Sequence, residues 1–302
     1  MNKFPNDIMI EVTNECNLRC TTCYSHQDDR PKKYMDFSIF KKIIDEIPEK
    51  NTKTISLYNY WEPLMHKEIW EFIKYAKQNW IKNIKIATNG TFLNAMKSAE
   101  LINAWLDYLS ISIDWTTQEI YEKFRVWWNL NQIIKNIQIL VKLKEKLWYW
   151  PMIELQFIIM SHNENQVENI RLLAEKLWVD ILRYKTVLVK EKLWSHLIPK
   201  NNNYSRYKEI TKTNSCNKPM TWIVINVDGK IIPCCYITDK YIDIHSLWNI
   251  NDNNLEELYN SSRSQKFVND VLNNKQSVDY CNDCEEWNLD LNFKVIKIKW
   301  IK

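Results

Sequence analysis

Three cysteines, Cys16, Cys20 and Cys23, stand close together in the order C-x3-C-x2-C at the end of an apolar run. Three thiolates on one loop can hold three irons of a [4Fe–4S] cube and leave the fourth iron with an open position. That open iron distinguishes a catalytic cluster from an electron carrier bound by four cysteines. A zinc ion held here would want a fourth ligand, for which His26 is the nearest candidate, and spacing alone leaves that alternative standing.

A second group comprises Cys216, Cys234 or Cys235, Cys281 and Cys284. Four thiolates saturate one [4Fe–4S] cluster, which suits electron transfer more than substrate activation, and they equally suit a structural zinc ion. Cysteines gathered in two clusters read as metal ligands of a reducing compartment, not as disulfides.

The rest of the composition narrows the function. The N-terminus, Met1 to Asp7, lacks the basic start and apolar run of a secretory signal. No apolar stretch reaches the roughly 18 residues of a membrane span, so the expectation is a soluble, cytoplasmic protein. A net charge of +4 from 41 basic and 37 acidic residues is too balanced for a nucleic-acid footprint.

These cysteines need a scaffold, and hydrophobic periodicity supplies one. Short β-branched runs predict strands over Ile8–Thr13, Lys53–Tyr58, Ile84–Thr88, Tyr108–Ile113, Ile153–Met160 and Asp180–Tyr184. Helical patterns fall between them, over Asp36–Ile47, Lys67–Gln78, Leu93–Asn103, Leu130–Lys146 and Gln166–Leu177. Strands alternating with helices argue a parallel α/β sheet with its function at the carboxyl ends of the strands, and six are too few for a closed eight-fold barrel. The polar, Asn/Lys-rich stretch 188–215 is expected to be a linker. Beyond it, Trp222–Val227, Asp228-Gly229 and Lys230–Ile232 read as a hairpin, and Asn254–Asn260 and Ser264–Leu272 as helices. The expected division is therefore 1–187, 188–215 and 216–302.

Glycine usage is abnormal: two glycines, Gly90 and Gly229, stand against fifteen tryptophans. Trp80 and Trp178 follow helical runs and precede strands, and Trp127-Trp128 interrupt a polar loop. Those are slots where glycine is favoured as the left-handed residue. The expectation is that many of these codons are read as glycine in the source organism, as in a genetic code where UGA means glycine. Trp70, Trp222 and Trp300 lie in runs that do not call for it.

The cysteine stretch resembles the cluster motif of the radical S-adenosylmethionine superfamily, and the strand-helix alternation is similar to that family's six-fold (β/α) partial TIM barrel. The family's aromatic residue before the third cysteine is here Thr22, with Tyr24 following instead. Tyr60-Trp61-Glu62-Pro63 is similar to the family's glycine-glutamate-proline motif, with Trp61 in the glycine position. The resemblance extends to Asn89 at the end of the third strand, to Ser112-Ile113-Asp114-Trp115 at the end of the fourth, and to Arg125 ahead of Trp127-Trp128. It implies that Tyr60, Trp61 and Glu62 receive the cofactor's amino group, that Ser112 and Arg125 hold its carboxylate, and that Asn89 and Asp114 belong to the same site. His66 reads either as a polar wall of that pocket or as a histidine at a helix start.

The second cysteine group resembles the auxiliary-cluster domain called SPASM, or its shortened twitch form, with Cys216, Cys234, Cys281 and Cys284 as ligands. The likeness implies S-adenosylmethionine and two [4Fe–4S] clusters. It also implies a one-electron donor such as flavodoxin or ferredoxin and a 5′-deoxyadenosyl radical that takes a hydrogen from substrate. No additional peptide-binding domain is evident, which points to a small molecule or carbohydrate. A ribosomally made peptide or protein is the alternative substrate, and a non-enzymatic iron–sulfur or zinc module is the competing class.

Overall fold

The computed structural model describes residues 4–26, 28–47, 52–114, 116–118, 129–147, 150–189, 192–207, 214–238, 240–282, 284 and 294–299. Along the chain come β1 (Asp7–Ile10), α1 (Phe37–Glu46), β2 (Thr54–Ser56), α2 (Ile69–Gln78) and β3 (Asn83–Thr88). They are followed by α3 (Ala95–Asn103), β4 (Tyr108–Ser112), α4 (Leu130–Leu147), β5 (Met152–Ile159), α5 (Val167–Leu177) and β6 (Ile181–Thr186). Next are α6 (Lys218–Thr221), β7 (Trp222–Ile225), β8 (Lys230–Ile232), α7 (Lys240–His245) and β9 (Trp248–Asn249). The last are α8 (Leu255–Asn260), α9 (Ser262–Asn274), α10 (Asp279–Asn282) and β10 (Lys294–Lys297). The strand-helix alternation through β6 is the one expected, with boundaries shifted by a few residues at most. Among the described residues no helix is long and apolar enough to cross a membrane.

The described residues pack as two compact units, one drawn from Met1–Cys16, Tyr24–Ile86 and Lys212–Trp287, the other from Asn17–Cys23, Ala87–Thr211 and Asn288–Lys302. In the first, β1 pairs in parallel with β2 (Ile8 opposite Ile55) and β2 with β3 (Ile55 opposite Ile84). Ile8, Ile10, Ile55 and Ile84 are all buried, as parallel strands covered on both faces require. Phe40 of α1 stacks on Phe72 of α2 with ring centroids 4.4 Å apart, which fixes these two helices together. In the second unit β4, β5 and β6 pair in parallel, Leu109 opposite Ile153 and Leu155 opposite Leu182. Neither unit closes its sheet into a barrel.

β7 pairs in parallel with β1, Ile8 opposite Ile223, so the segment after residue 216 extends the sheet that begins at the N-terminus. The expected hairpin forms, with β7 and β8 antiparallel. β10 instead adds antiparallel to β6, Ile296 opposite Leu182. Nor is the polar stretch after β6 a free tether. The Ser161 amide donates to the Leu197 carbonyl at 2.9 Å, and Arg206 donates to the hydroxyl and carbonyl of Thr186.

Among the described residues, three tryptophans occupy left-handed backbone: Trp80 (φ 64°), Trp105 (φ 66°) and Trp178 (φ 58°). Each sits just past a helix in the same hydrogen-bond pattern. The Trp80 amide donates to the Lys77 carbonyl and the Ile81 amide to that of Ala76. Trp105 and Leu106 repeat this toward Ile102 and Leu101, and Trp178 and Val179 toward Glu175 and Ala174. This is the Schellman termination, whose left-handed residue is usually glycine because a Cβ crowds the backbone there. The three indoles are 79, 71 and 55% exposed, so burial returns little for that strain. Both glycines also have positive φ, and a Cβ at Gly229 would lie 2.8 Å from Ile250 Cγ2. The geometry at these three helix ends is what the glycine-recoding expectation requires. Trp115, Trp127 and Trp128 lie outside the described residues.

In the first unit a buried carboxylate holds the end of β1. Glu11 is 1% exposed and accepts hydrogen bonds from Arg30 Nη1 at 3.0 Å, Trp61 Nε1 at 2.7 Å and the Val227 amide at 3.3 Å. Burial pushes the Glu11 carboxyl up and the Arg30 guanidinium opposes that push. Asp28 in turn grips the Arg30 Nε at 2.9 Å.

Three outcomes test these points. Arg30→Met strands the buried Glu11 carboxylate and should lower stability in urea unfolding by about 3 kcal/mol; an unchanged midpoint would refute the role given to the pair. Trp80→Gly relieves the left-handed strain and should raise stability by about 1 kcal/mol; a loss would contradict it. The intact mass of the protein from its native host should fall below that of the written sequence by whole multiples of the tryptophan–glycine difference. A mass equal to the written sequence would end the recoding idea.

Candidate functional site

The cysteine loop leaves the end of β1, and its base is sealed by side chains. Thr13 donates its hydroxyl to the Lys33 carbonyl at 2.8 Å, Asn14 accepts the Lys33 amide and donates to the Pro31 carbonyl, and the Met35 amide returns to Val12. Short polar residues at a strand end satisfy the backbone groups that the sheet no longer pairs. Cys16, Cys20 and Cys23 are in no disulfide, each is half-buried, and the Cys23 amide turns back onto the Cys20 carbonyl at 3.0 Å. Between them, Asn17 is held by the end of β3. Asn89 Nδ2 donates to Asn17 Oδ1 at 2.9 Å, Asn17 Nδ2 to the Thr91 hydroxyl at 3.1 Å, and the Thr91 amide to Asn89 Oδ1. Asn89, expected at the cofactor site, is thus committed to placing the cysteine loop.

The turn after β2 is anchored to the same loop, since the Glu62 amide donates to the carbonyl of Glu15, the residue before Cys16, at 3.0 Å. Glu62 is 1% exposed, and its Oε1 accepts the Leu64 amide, capping the 3₁₀ turn Pro63–Met65. Trp61 departs from expectation. Its indole does not crowd an open backbone but is buried, bonded to Glu11, with Lys32 Nζ 4.4 Å from the ring centroid. Its φ is not among the positive ones, so this position makes no demand for glycine. The Tyr60 ring meets that of Tyr24 edge to face at 5.6 Å. Burial, followed by the charges of Cys235, Tyr236, Tyr280 and Cys234, raises the Tyr60 phenol well above its ordinary value. His66 has a structural place: its Nε2 lies 3.2 Å from the Met35 carbonyl and its Nδ1 accepts the Glu68 amide.

At the end of β4, Ser112 is half-buried and stands opposite Gln156 in β5. Asp114 is fully buried. Its Oδ1 accepts the Ile158 amide at 2.9 Å and its carbonyl the Asn163 side-chain amide at 2.7 Å, so it fastens the strand ends. Arg125 lies outside the described residues.

Cys216, Cys234, Cys281 and Cys284 line one pocket, together with Lys218, Lys275, Tyr236, Tyr280 and apolar walls. Cys235 is not in that lining, which favours Cys234 as the ligand; both pack on the cluster of Met9, Val224, Ile232, Ile237 and Ile242. The hydrogen bond with Cys235, followed by burial, raises the Cys234 thiol well above its usual range. Burial, then the neighbouring Cys234, Cys284 and Cys216, pushes Cys281 up to about 12. Four mutually repelling thiolates in a buried pocket fit a bound cation or cationic cluster core, which would make each of them stable as thiolate. Among the described residues, no three such groups close to metal-ligating distances in the protein by itself.

Sequence reasoning did not find Asn17, Glu11, Arg30, Lys218 or Lys275. Asn17 stands inside the cysteine motif and Glu11 inside the first predicted strand, yet neither pattern says what the side chain meets, and only the folded chain shows what each residue touches.

The chain is similar to known proteins. The family model for the radical SAM superfamily matches residues 10–175. A second, described as an iron-sulfur cluster-binding domain and named SPASM, matches residues 216–285. The tungsten-containing aldehyde ferredoxin oxidoreductase cofactor-modifying protein of Pyrococcus furiosus is 23% identical over 92% of this chain and 86% of its own length. A probable GTP 3′,8-cyclase of Methanocaldococcus jannaschii is 24% identical over 78% of this chain and 87% of its own. Among solved structures, BtrN in complex with AdoMet and 2-DOIA superposes with a TM-score of 0.59 over 94% of both chains at 16% identity, a likeness of fold. With a cysteine loop of C-x3-C-x2-C spacing after β1 and a pocket lined by Cys216, Cys234, Cys281 and Cys284, the chain belongs to the radical SAM superfamily and carries a SPASM domain in its C-terminal region.

Proposed function

We propose that this protein is a radical S-adenosylmethionine enzyme that takes a hydrogen atom from a small molecule or carbohydrate and leaves that substrate oxidised or otherwise modified. The observation that carries the reading is the pairing of a three-thiol loop with a separate four-thiol pocket in one chain. Three thiols leave one iron of a cluster open to chemistry, whereas four leave none. The printed role of the Pyrococcus furiosus relative, modification of a cofactor, supports a small-molecule substrate.

When bound, S-adenosylmethionine supplies a 5′-deoxyadenosyl radical as the hydrogen-abstracting species. The chain's own residues do the rest. Cys16, Cys20 and Cys23 hold three irons, and Asn89 keeps their loop in place through Asn17. Glu62, with the carbonyls of Tyr60 and Trp61, offers acceptors to the cofactor's ammonium, and Ser112 and Arg125 offer donors to its carboxylate. Asp114 fixes the end of β5 next to β4, from which Ser112 comes. Cys216, Cys234, Cys281 and Cys284 hold the auxiliary cluster, and an external one-electron donor such as flavodoxin or ferredoxin starts the cycle.

Anaerobic reconstitution with iron and sulfide followed by reduction in the presence of S-adenosylmethionine should release 5′-deoxyadenosine. A non-enzymatic iron–sulfur or zinc protein would release none. The reconstituted chain should carry about eight irons. Replacing Cys16, Cys20 and Cys23 together with alanine should remove about half of that iron and all of the 5′-deoxyadenosine. Loss of all the iron, or of none, would contradict two independent sites.

A further inference from the structure

Tyr184 of β6 donates its hydroxyl at 2.8 Å to the Val167 carbonyl at the start of α5, so α5 lies on that face of the strand. Side chains alternate along a strand, and Arg183 therefore stands on the opposite face. Register puts Gln156 of β5 beside Arg183, and Ser112 of β4 beside Gln156. Paired residues of parallel strands share a face and lie about 4.8 Å apart, so Ser112, Gln156 and Arg183 form one polar row across the second unit.

Below that row, toward the start of the strands, the polar groups hold one another. Glu154 is 2% exposed and accepts the Ser110 hydroxyl at 2.8 Å, Arg183 Nε at 2.5 Å and the Tyr108 hydroxyl. The Arg183 charge is thereby matched by a buried carboxylate. Gln156 is different. It is half-buried, and among the described residues its carboxamide has no hydrogen-bond partner. A molecule that covers it must offer a partner of its own, because covering the carboxamide without one forfeits its hydrogen bonds with water.

Its neighbours say what kind of molecule that is. Ser112, one strand away, is the residue given above to the cofactor carboxylate, so a molecule over Gln156 lies beside the cofactor, where hydrogen transfer requires the substrate to be. A carboxamide is neutral and both donates and accepts, as a hydroxyl does. In the next row Ile158 stands opposite Lys185. Ile158 adds half-buried apolar surface, and burial lowers the Lys185 ammonium against the pull of the Glu154 charge. A neutral polar group beside apolar surface suits a saturated ring that carries hydroxyls better than it suits a phosphate.

We propose that Gln156 orients the substrate, a cyclic polyol, by hydrogen bonding a hydroxyl next to the carbon that gives up its hydrogen. This rests on the radical S-adenosylmethionine reading given above and narrows its substrate class. A group that hydrogen-bonds a substrate hydroxyl also rejects analogues that lack it, so Gln156 sets specificity as well as orientation.

The test uses the reconstituted full chain, reduced with dithionite in the presence of S-adenosylmethionine and one probe deuterated at every carbon: myo-inositol, D-glucose or D-glucose 6-phosphate. Mass spectrometry of the released 5′-deoxyadenosine reads whether a C–D bond of the probe was broken and its deuterium transferred. At least one neutral probe should transfer deuterium. Gln156→Leu should lower that transfer by about tenfold or more, while the dissociation constant for S-adenosylmethionine, measured by equilibrium dialysis, stays at the parent value. Gln156→Glu, which keeps an acceptor oxygen in place, should transfer more than the leucine variant. Absence of 5′-deoxyadenosine from the parent protein overturns the enzyme reading itself. Unlabelled 5′-deoxyadenosine with both neutral probes, or deuterium from the phosphate alone, overturns the polyol assignment. Undiminished transfer in the leucine variant, or equal loss in both variants, overturns the role of Gln156. A matching loss of cofactor affinity overturns it too, by assigning the residue to the cofactor.

Discussion

The first compact unit depends on one buried carboxylate. Glu11 ends β1, and its two oxygens are shared among the Arg30 guanidinium, the Trp61 indole and the Val227 amide. Those partners come from the returning arm of the cysteine loop, the turn after β2 and the end of β7. An ionised carboxylate excluded from water must be surrounded by donors, and that demand pulls three distant segments to one strand end. The same strand end launches the cysteine loop, so the electrostatic requirement of Glu11 and the placement of Cys16 are linked.

The two thiol groups live under different constraints. The loop cysteines are half-buried on a segment whose base is tied by Thr13, Asn14 and Glu15 and whose middle is tied by Asn17. The pocket cysteines are enclosed by Tyr236, Tyr280, Phe267 and Val271, and their thiols are pushed up by burial and by one another. Their deprotonation and the arrival of a positively charged core are one coupled event, so assembly should release protons. An enclosed, fully ligated cluster has only electrons to exchange, and what surrounds it decides how readily it takes one.

The helix ends show a second constraint at work. Residues Trp80, Trp105 and Trp178 adopt left-handed backbone because helices α2, α3 and α5 must stop and turn into the following segments, whatever side chain is written there. The hydrogen bonds of the Schellman pattern and the packing of Ile81, Leu106 and Val179 define the conformation. Exposure leaves these indoles little burial to explain their choice, although Lys299 Nζ lies 5.3 Å from the Trp178 ring centroid. Trp61 is the opposite case, a tryptophan with a buried, hydrogen-bonded place.

Much of this was legible in the chain itself. Hydrophobic periodicity located the strands and helices through β6, because alternation of period and length reflects local sterics and one-sided burial. Cysteine spacing located both thiol groups, because ligand chemistry constrains residue type as well as position. What the chain could not reveal are interactions between residues far apart in sequence. The pairing of β7 with β1, the return of β10 to β6, and the bond from the Val227 amide to Glu11 all join segments separated by a hundred residues or more. Trp61 could not be judged from its motif, since its room depends on Glu11 fifty residues away. Nor could the choice between Cys234 and Cys235, adjacent and chemically identical, be made until the fold turned one of them toward the pocket. Local patterns record what a residue prefers; only tertiary packing decides which charges share a buried space, and there electrostatics is strong enough to set the chemistry.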